Sequence, residues 1–188
     1  MKREAVLNEA GRAFGKKGYH NTSLDDIAST LGVSKGTLYN YVKDKQEILF
    51  EFHKRALDIG DRSLDRFDGL GLNGAGQLKR SLSDYITALL EELGVCAVLT
   101  EVEALRPEHR EIVVARRDAF QVRLAKIIAD GIADGSIRPI IDPSLAIFTF
   151  MGAINWMPRW YSEDGRFTAE QIAESMTDLL LKGLIIST

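Results

Sequence analysis

The chain has 188 residues, of which 45% are hydrophobic and 27% are charged, and its formal net charge is −3. This composition is typical of a globular protein of one or two small domains, and the single cysteine, Cys96, excludes an intrachain disulfide. The three scattered histidines lack metal-ligand spacing, so we expect neither a metal nor a cofactor, and without a signal peptide or a membrane-length apolar run we expect a cytoplasmic protein.

Charge is distributed unevenly along the chain. Residues 1–55 contain ten Lys or Arg and seven Asp or Glu, a balance of +3, whereas the remaining residues carry a balance of −6. Such a difference favours a basic module attached to an acidic body, and a basic module is typical of nucleic-acid binding. A solvated charged surface would give the same imbalance, so charge alone does not establish the function.

Apolar residues recur at helical spacing almost throughout the chain, and no run alternates with period two. The spacing predicts a first helix at Lys2–Lys17, stopped by Gly18, and a short helix at Leu24–Leu31, capped by Thr22 or Ser23. After a turn at Gly32-Val33, Ser34 caps another short helix that runs to Tyr41.

The rest of the chain is also predicted to be helical. A long helix begins near Asp44 and ends before a glycine-rich loop at residues 69–76. Capping residues, prolines and apolar spacing then predict helices at Gln77–Leu93, Val95–Leu105, Pro107–Ala133, Pro143–Tyr161 and Thr168–Ile186. The fold class is therefore all-α with about nine helices, in two domains at residues 1–46 and 47–188.

Two short helices joined by a glycine-containing turn are typical of a helix-turn-helix module, whose second helix enters the DNA major groove. We expect Lys35 to meet a guanine edge or phosphate, Thr37 a thymine methyl group and Asn40 an adenine or phosphate. Core packing of Tyr39 or Tyr41 is an alternative. The complete set of predicted DNA-binding residues is Thr22, Ser23, Ser34, Lys35, Gly36, Thr37, Tyr39, Asn40, Tyr41 and Lys45.

The segment GYHNTSLDDIASTLGVSKGTLYNYVKDKQEIL, residues 18–49, resembles the amino-terminal signature of the TetR family of transcriptional regulators. It differs from the usual family pattern after Tyr39, where Asn40-Tyr41-Val42 stands. The resemblance implies an all-helical carboxyl-terminal domain that binds a small molecule and dimerises through its last two long helices.

Two apolar helices near the carboxyl end favour the same dimer independently. The helix at residues 143–161 is apolar nearly all round, and the helix at residues 168–186 has a wide apolar stripe. Paired about a two-fold axis, two such helices from each subunit form a four-helix interface that suits a palindromic operator. The alternative is a monomer that buries the same residues in its own core.

The effector is less well defined. NWMPRWY, residues 155–161, resembles a subgroup of the family that senses acyl-CoA thioesters, and Arg106, Arg110, Arg116, Arg117 and Arg123 offer cations for CoA phosphates. A solvated helix face explains Arg116 and Arg117 equally well, and a generic hydrophobic effector is an equal alternative. The predicted ligand-binding residues are Tyr85, Leu89, Cys96, Leu99, Glu103, Arg106, Phe120, Asn155, Trp156 and Arg159.

The sequence thus predicts a ligand-responsive, homodimeric transcriptional repressor that a small hydrophobic or acyl-CoA effector releases from a palindromic operator. A DNA-binding architectural or segregation factor without an effector is the alternative. We do not expect an enzyme, because the chain has no glycine-rich phosphate loop, nucleophile elbow or metal cluster.

Overall fold

The computed structural model describes residues 3–93, 97–140, 142–162 and 164–185. Within these ranges the fold is helical, which confirms the predicted all-α class. The α-helices are α1 (Arg3–Lys17), α2 (Leu24–Thr30), α3 (Lys35–Tyr39), α4 (Lys45–Asp65), α5 (Gly74–Leu93), α6 (Pro107–Ala133), α7 (Pro143–Trp156) and α8 (Ala169–Leu181). Short 3₁₀ turns occur at Ala97–Thr100, Val102–Ala104 and Met157–Arg159.

The predicted helix starts are confirmed by side chains that cap them. Ser23, Ser34 and Asp44 each accept a hydrogen bond from the backbone amide three residues later, at the starts of α2, α3 and α4. Thr168 and Gln171 form the expected capping box at the start of α8. These bonds form within one helical turn, which is why the sequence alone indicates them.

The predicted loop at residues 69–76 is too long, because α5 already begins at Gly74. Gly74 donates its backbone N–H to Asp134 (2.7 Å), and a Cβ atom on Gly74 would collide with the backbone of Gly131. This glycine therefore permits close approach of α5 and α6 rather than marking a loop.

Three further helix predictions differ from the structure. In the described part of Val95–Leu105 the chain forms two 3₁₀ turns instead of an α-helix. The helix predicted to reach Tyr161 ends at Trp156, because Pro158 has no backbone N–H to continue the helical ladder. The last helix ends at Leu181, earlier than the predicted Ile186, which itself lies outside the described residues.

The head consists of α1, α2, α3 and the beginning of α4. The Phe14 ring at its centre packs edge-on against Tyr19 and Phe52, at centroid distances of 5.3 Å and 6.3 Å. Helix α4 continues from this head into the body, where it packs against α5 and α6. It therefore belongs to both parts of the molecule and joins them mechanically. None of the described helices has the length and apolar character needed to cross a membrane.

Candidate DNA interface and effector region

Helix α3 is short and presents most of its surface to solvent. Leu38 is fully buried and anchors the helix to the head, whereas Lys35, Gly36 and Asn40 are exposed and Tyr39 is 47% exposed. Thr37 and Tyr41 are half-buried. The structure thus brings the predicted base-contacting side chains to one accessible surface, with Leu38 holding them in place. Their contacts with DNA stay a prediction.

Lys35 is engaged by an acidic neighbour on this surface. Its ammonium group lies 3.0 Å from the carboxylate of Asp25 at the start of α2, and this hydrogen bond raises the pKa of Lys35 above its ordinary value. Both side chains are exposed, so solvent screens the pair. A DNA phosphate would therefore compete with Asp25 for Lys35.

Thr22 and Ser23 serve the fold of the head. Thr22 is buried, and its hydroxyl group donates to the carbonyl of Gly18 (2.9 Å). The Ser23 hydroxyl is occupied by the capping box with Asp26, whose pKa is lowered to about 2 by hydrogen bonds from Ser23 and then Lys17. The Ser34 hydroxyl likewise caps α3 through Thr37. These three side chains orient the two helices, and their contacts with DNA stay predictions.

Lys45 is predicted to hold a DNA phosphate, and in the structure its side chain contacts the head. Its ammonium group donates to the backbone carbonyls of Tyr19 (2.8 Å) and Thr22 (2.9 Å) and lies 4.3 Å from the centroid of the Tyr19 ring. Partial burial lowers its pKa below the ordinary value. Lys45 therefore ties the start of α4 to the corner between α1 and α2, and a phosphate contact by this lysine stays a prediction.

A groove of about 460 Å³ lies on the exposed surface of the head, between α3 and the start of α2. Lys35, Tyr39 and Lys45 line it, together with His20 and Asn21, which the sequence reasoning did not single out. The sequence indicates these two residues only weakly. Both are polar and precede the Ser23 cap, at the amino end of a helix-turn-helix motif.

The predicted effector residues occur in several separate groups. Tyr85, Leu89 and Phe120 are buried between α5 and α6, where the rings of Tyr85 and Phe120 lie 5.5 Å apart. Burial raises the pKa of Tyr85, so its phenol is neutral at physiological pH. The Phe120 ring also lies beside Gly60 of α4, where a Cβ atom would be 3.0 Å away. This aromatic group therefore contacts the helix that leads to the head.

Glu103 and Arg106 belong to the joint between body and head. Glu103 is exposed and pairs with Arg110 at 2.7 Å, and Arg106 pairs with Asp44, the cap of α4. Burial acts to raise the pKa of Asp44, but hydrogen bonds from the Glu47 amide and Arg106 bring it below its ordinary value. The Gln46 side chain accepts from the Arg106 amide (3.1 Å) and donates to the Ala104 carbonyl (2.5 Å). The sequence reasoning missed Gln46.

The α6 arginines expected to meet CoA phosphates already have carboxylate partners. Arg116 pairs with Asp58 and Asp61 of α4, and Arg123 pairs with Asp61 and Asp65. These contacts form a ladder between α4 and α6, and a phosphate would have to displace a carboxylate from it. Arg116 and Arg123 are thus neutralised within the chain, and a contact of either with a CoA phosphate stays a prediction.

Asn155, Trp156 and Arg159 lie together where α7 ends. Asn155 is half-buried and Trp156 is 62% exposed, and the Arg159 guanidinium lies 5.8 Å from the centroid of the Trp156 ring. Leu99 is half-buried against the core. Cys96 lies outside the described residues. The effector roles of all these residues stay predictions.

A compact head with an exposed short third helix, joined by α4 to a larger helical body, defines a helix-turn-helix DNA-binding regulator. A family model described as bacterial regulatory proteins, tetR family, matches residues 6–52. A second, described as tetracyclin repressor-like, C-terminal domain, matches residues 71–184. The chain therefore belongs to the TetR family of DNA-binding transcriptional regulators, which are not enzymes, as the sequence predicts.

Known proteins are similar to the chain over nearly its whole length. The HTH-type transcriptional repressor KstR2 of Mycolicibacterium smegmatis is 26% identical, with 97% of this chain and 90% of the relative covered. The solved structure of PfmR from Thermus thermophilus has 31% identity and a TM-score of 0.78, covering 95% and 97% of the two chains. The structure of AibR in complex with isovaleryl coenzyme A and operator DNA has 28% identity and a TM-score of 0.76, with the same coverage.

Proposed function

We propose that this protein is a homodimeric transcriptional repressor that binds a palindromic operator and leaves it when a small hydrophobic or acyl-CoA effector binds. The observation that carries the proposal is the continuity of α4, which begins in the head and packs along α6 in the body. A ligand that changes the position of α6 relative to α5 would move the head through this helix. Because its target is chromosomal DNA, we expect the protein to act in the cytoplasm.

The homodimer is supported by apolar side chains left exposed on the last two helices. Ile147, Phe150 and Ile154 of α7 are buried in the chain, whereas Phe148 and Trp156 are 58% and 62% exposed. On α8, Leu179 is 70% exposed. Large exposed apolar side chains mark an interaction surface, and two copies related by a two-fold axis would cover those of α7 and α8. The two α3 helices would then meet DNA roughly 34–36 Å apart.

Polar contacts at the base of α6 support transmission of a conformational change from the effector to the head. We call these contacts the polar joint. The Gln46 amide and the Asp44–Arg106 pair hold the start of α4 against residues 104–106. The rings of Phe50 and His109 stack above them with centroids 4.0 Å apart. Because this joint connects the base of α6 to the start of α4, a shift at the base of α6 would change the orientation of the head. An effector shifts the equilibrium only if it binds the two orientations unequally.

An acyl-CoA effector is supported by two observations. The segment at residues 155–161 combines exposed tryptophan and arginine side chains, and AibR, a solved structure with similar sequence and fold, is complexed with isovaleryl coenzyme A and operator DNA. A generic hydrophobic ligand among Tyr85, Leu89 and Phe120 is the second candidate, because these residues form an aromatic and aliphatic group next to α4.

The test is a gel shift on the DNA upstream of the protein's own gene, repeated with a panel of CoA thioesters and lipophilic compounds. We expect a specific complex that one class of compound dissolves. Tyr39→Ala should weaken this complex about fivefold or more, since a base contact contributes about 1–3 kcal/mol, while sedimentation shows an unchanged dimer. A DNA complex that no compound affects would favour an architectural factor instead.

A further inference from the structure

A second groove, of about 590 Å³, lies between the head and the body. One wall is formed by residues 14–21, at the corner between α1 and α2, and the other by residues 158–161, which follow α7. Glu101 also lines the groove and lies 3.3 Å from His20 across it. A ligand in this groove would therefore contact head and body simultaneously.

The groove is lined by several cationic side chains. Lys16 and Lys17 end α1, and Arg159 faces them from the body. Lys17 pairs with Asp26 at 3.3 Å, whereas Lys16 and Arg159 have no carboxylate within 4 Å among the described residues. Both are exposed, and they stand on opposite walls. Two cations without acidic partners in one concave site favour an anionic ligand, and phosphate oxygens suit both ammonium and guanidinium groups.

An aromatic surface completes the lining. Trp160 is 50% exposed although it is one of the largest apolar side chains in the protein. Tyr161 lies next to it on the same wall. A partly exposed indole face beside cations is the arrangement that stacks a nucleobase while phosphate groups bind the neighbouring cations. The combination is more specific than a cationic groove alone.

We infer that this groove binds a nucleotide-like anion, an aromatic base carrying phosphate groups, with Lys16 of the head and Arg159 of the body holding the phosphates and Trp160 stacking on the base. The inference rests on the proposed function, because the nucleotide part of a CoA thioester is one source of this chemistry and a free nucleotide is the other. The head then contacts the effector directly, so the ligand itself sets the orientation of the head relative to the body.

The test is calorimetric titration of the full chain with coenzyme A and, separately, with ADP. We expect binding that Lys16→Gln and Trp160→Leu each weaken about tenfold, the effect of losing one charge-assisted hydrogen bond or one stacked base. Lys43→Gln is the matched control, since it removes the same charge from another exposed lysine of the head and should leave the affinity unchanged. Binding of coenzyme A without binding of ADP identifies the coenzyme A part of a thioester as the source. Binding of both ligands identifies nucleotides in general.

Lys16 is the decisive position, because it lies on the head, remote from the buried effector candidates between α5 and α6. The inference is overturned if neither ligand binds, or if Lys16→Gln binds as tightly as the unmodified chain. Operator binding without ligand is measured on the same preparation. If the chain binds its operator but neither ligand, only the inference about the groove is contradicted. If it binds a ligand but no operator DNA, the proposed function is contradicted.

Discussion

Lys45 and Tyr19 are joined twice, by a hydrogen bond of 2.8 Å from the lysine ammonium to the tyrosine carbonyl and by the position of the ammonium 4.3 Å from the centroid of the aromatic ring. Tyr19 in turn packs against Phe14, the centre of the head core. Because Lys45 is the first residue of α4, this contact transmits the position of α4 to the corner between α1 and α2.

Replacing Lys45 by methionine keeps the aliphatic stem but removes the donors to Tyr19 and Thr22. We expect the free energy of unfolding to fall by about 1–3 kcal/mol, because two carbonyl groups lose a charged hydrogen-bond donor. Urea denaturation followed by circular dichroism measures the loss. Lys43→Met, at an exposed neighbouring position, is the control. Equal stability of the two variants would show that Lys45 has no structural role in the head.

The contact between Asp25 and Lys35 predicts a gain of DNA affinity on mutation. Asp25→Asn removes a carboxylate from the DNA-facing surface and releases Lys35 for a phosphate, so we expect operator affinity to rise about three- to tenfold at low salt. Fluorescence anisotropy against salt concentration measures this change. Asp68→Asn makes the same charge change in the loop after α4 and should have no effect. Unchanged or weaker binding by Asp25→Asn would mean that Lys35 does not reach the DNA backbone.

The exposed apolar stripe on α7 predicts that one charge will separate the subunits. Phe148→Glu should convert the dimer to a monomer in sedimentation velocity and abolish tight operator binding, because a buried unpaired charge is strongly unfavourable. Val122→Glu is the matched control, since Val122 is 69% exposed on α6, outside the proposed interface. A Phe148→Glu dimer that sediments like the unmodified protein would exclude α7 from the interface.

His53 predicts a loss of stability in mild acid. It is only 4% exposed, and its Nε2 has no hydrogen-bond partner among the described residues. Burial, followed by the charge of Arg117, lowers its pKa to about 4. The unfolded chain, with a pKa of about 6.5, binds the proton more tightly, so full stability is present above about pH 6.5 and is lost as the pH falls toward 4. The difference amounts to about 3 kcal/mol.

Denaturation of the unmodified chain and of His53→Leu between pH 7 and pH 4 tests this prediction. The variant lacks the titrating imidazole. Its free energy of unfolding should therefore rise relative to that of the unmodified chain as the pH falls. His20→Leu serves as control, because His20 is exposed. Parallel pH profiles for the unmodified chain and His53→Leu would show that burial of this histidine does not determine the acid response.

Some features of the site were predictable because they depend on neighbours along the chain. The caps at Ser23, Ser34 and Asp44 act within one turn, and together with apolar spacing they indicate the beginnings of α2, α3 and α4. The glycines at residues 74 and 131 were not interpretable in the same way. Only packing of α5 against α6 shows that a Cβ atom on Gly74 would meet Gly131, and a glycine-rich segment therefore resembled a loop.

The charged residues illustrate the same limit. A lysine at the start of α4 and arginines along α6 were predicted to meet phosphates because each carries a positive charge. The structure directs Lys45 to carbonyl groups of the head and pairs Arg116 and Arg123 with α4 carboxylates far away in sequence. Charge is a property of the residue, whereas the partner that neutralises it depends on how the helices are arranged.

The amino-acid sequence by itself determined the all-helical class, the capped short helices of the head and the family, because helical periodicity, capping and a dense motif are local in the chain. Only the tertiary structure decided which partners the polar side chains have within the chain. It committed Thr22, Lys45 and the α6 arginines to internal contacts and left Lys35 shared with Asp25. Those outcomes depend on distances between helices, which no local pattern encodes.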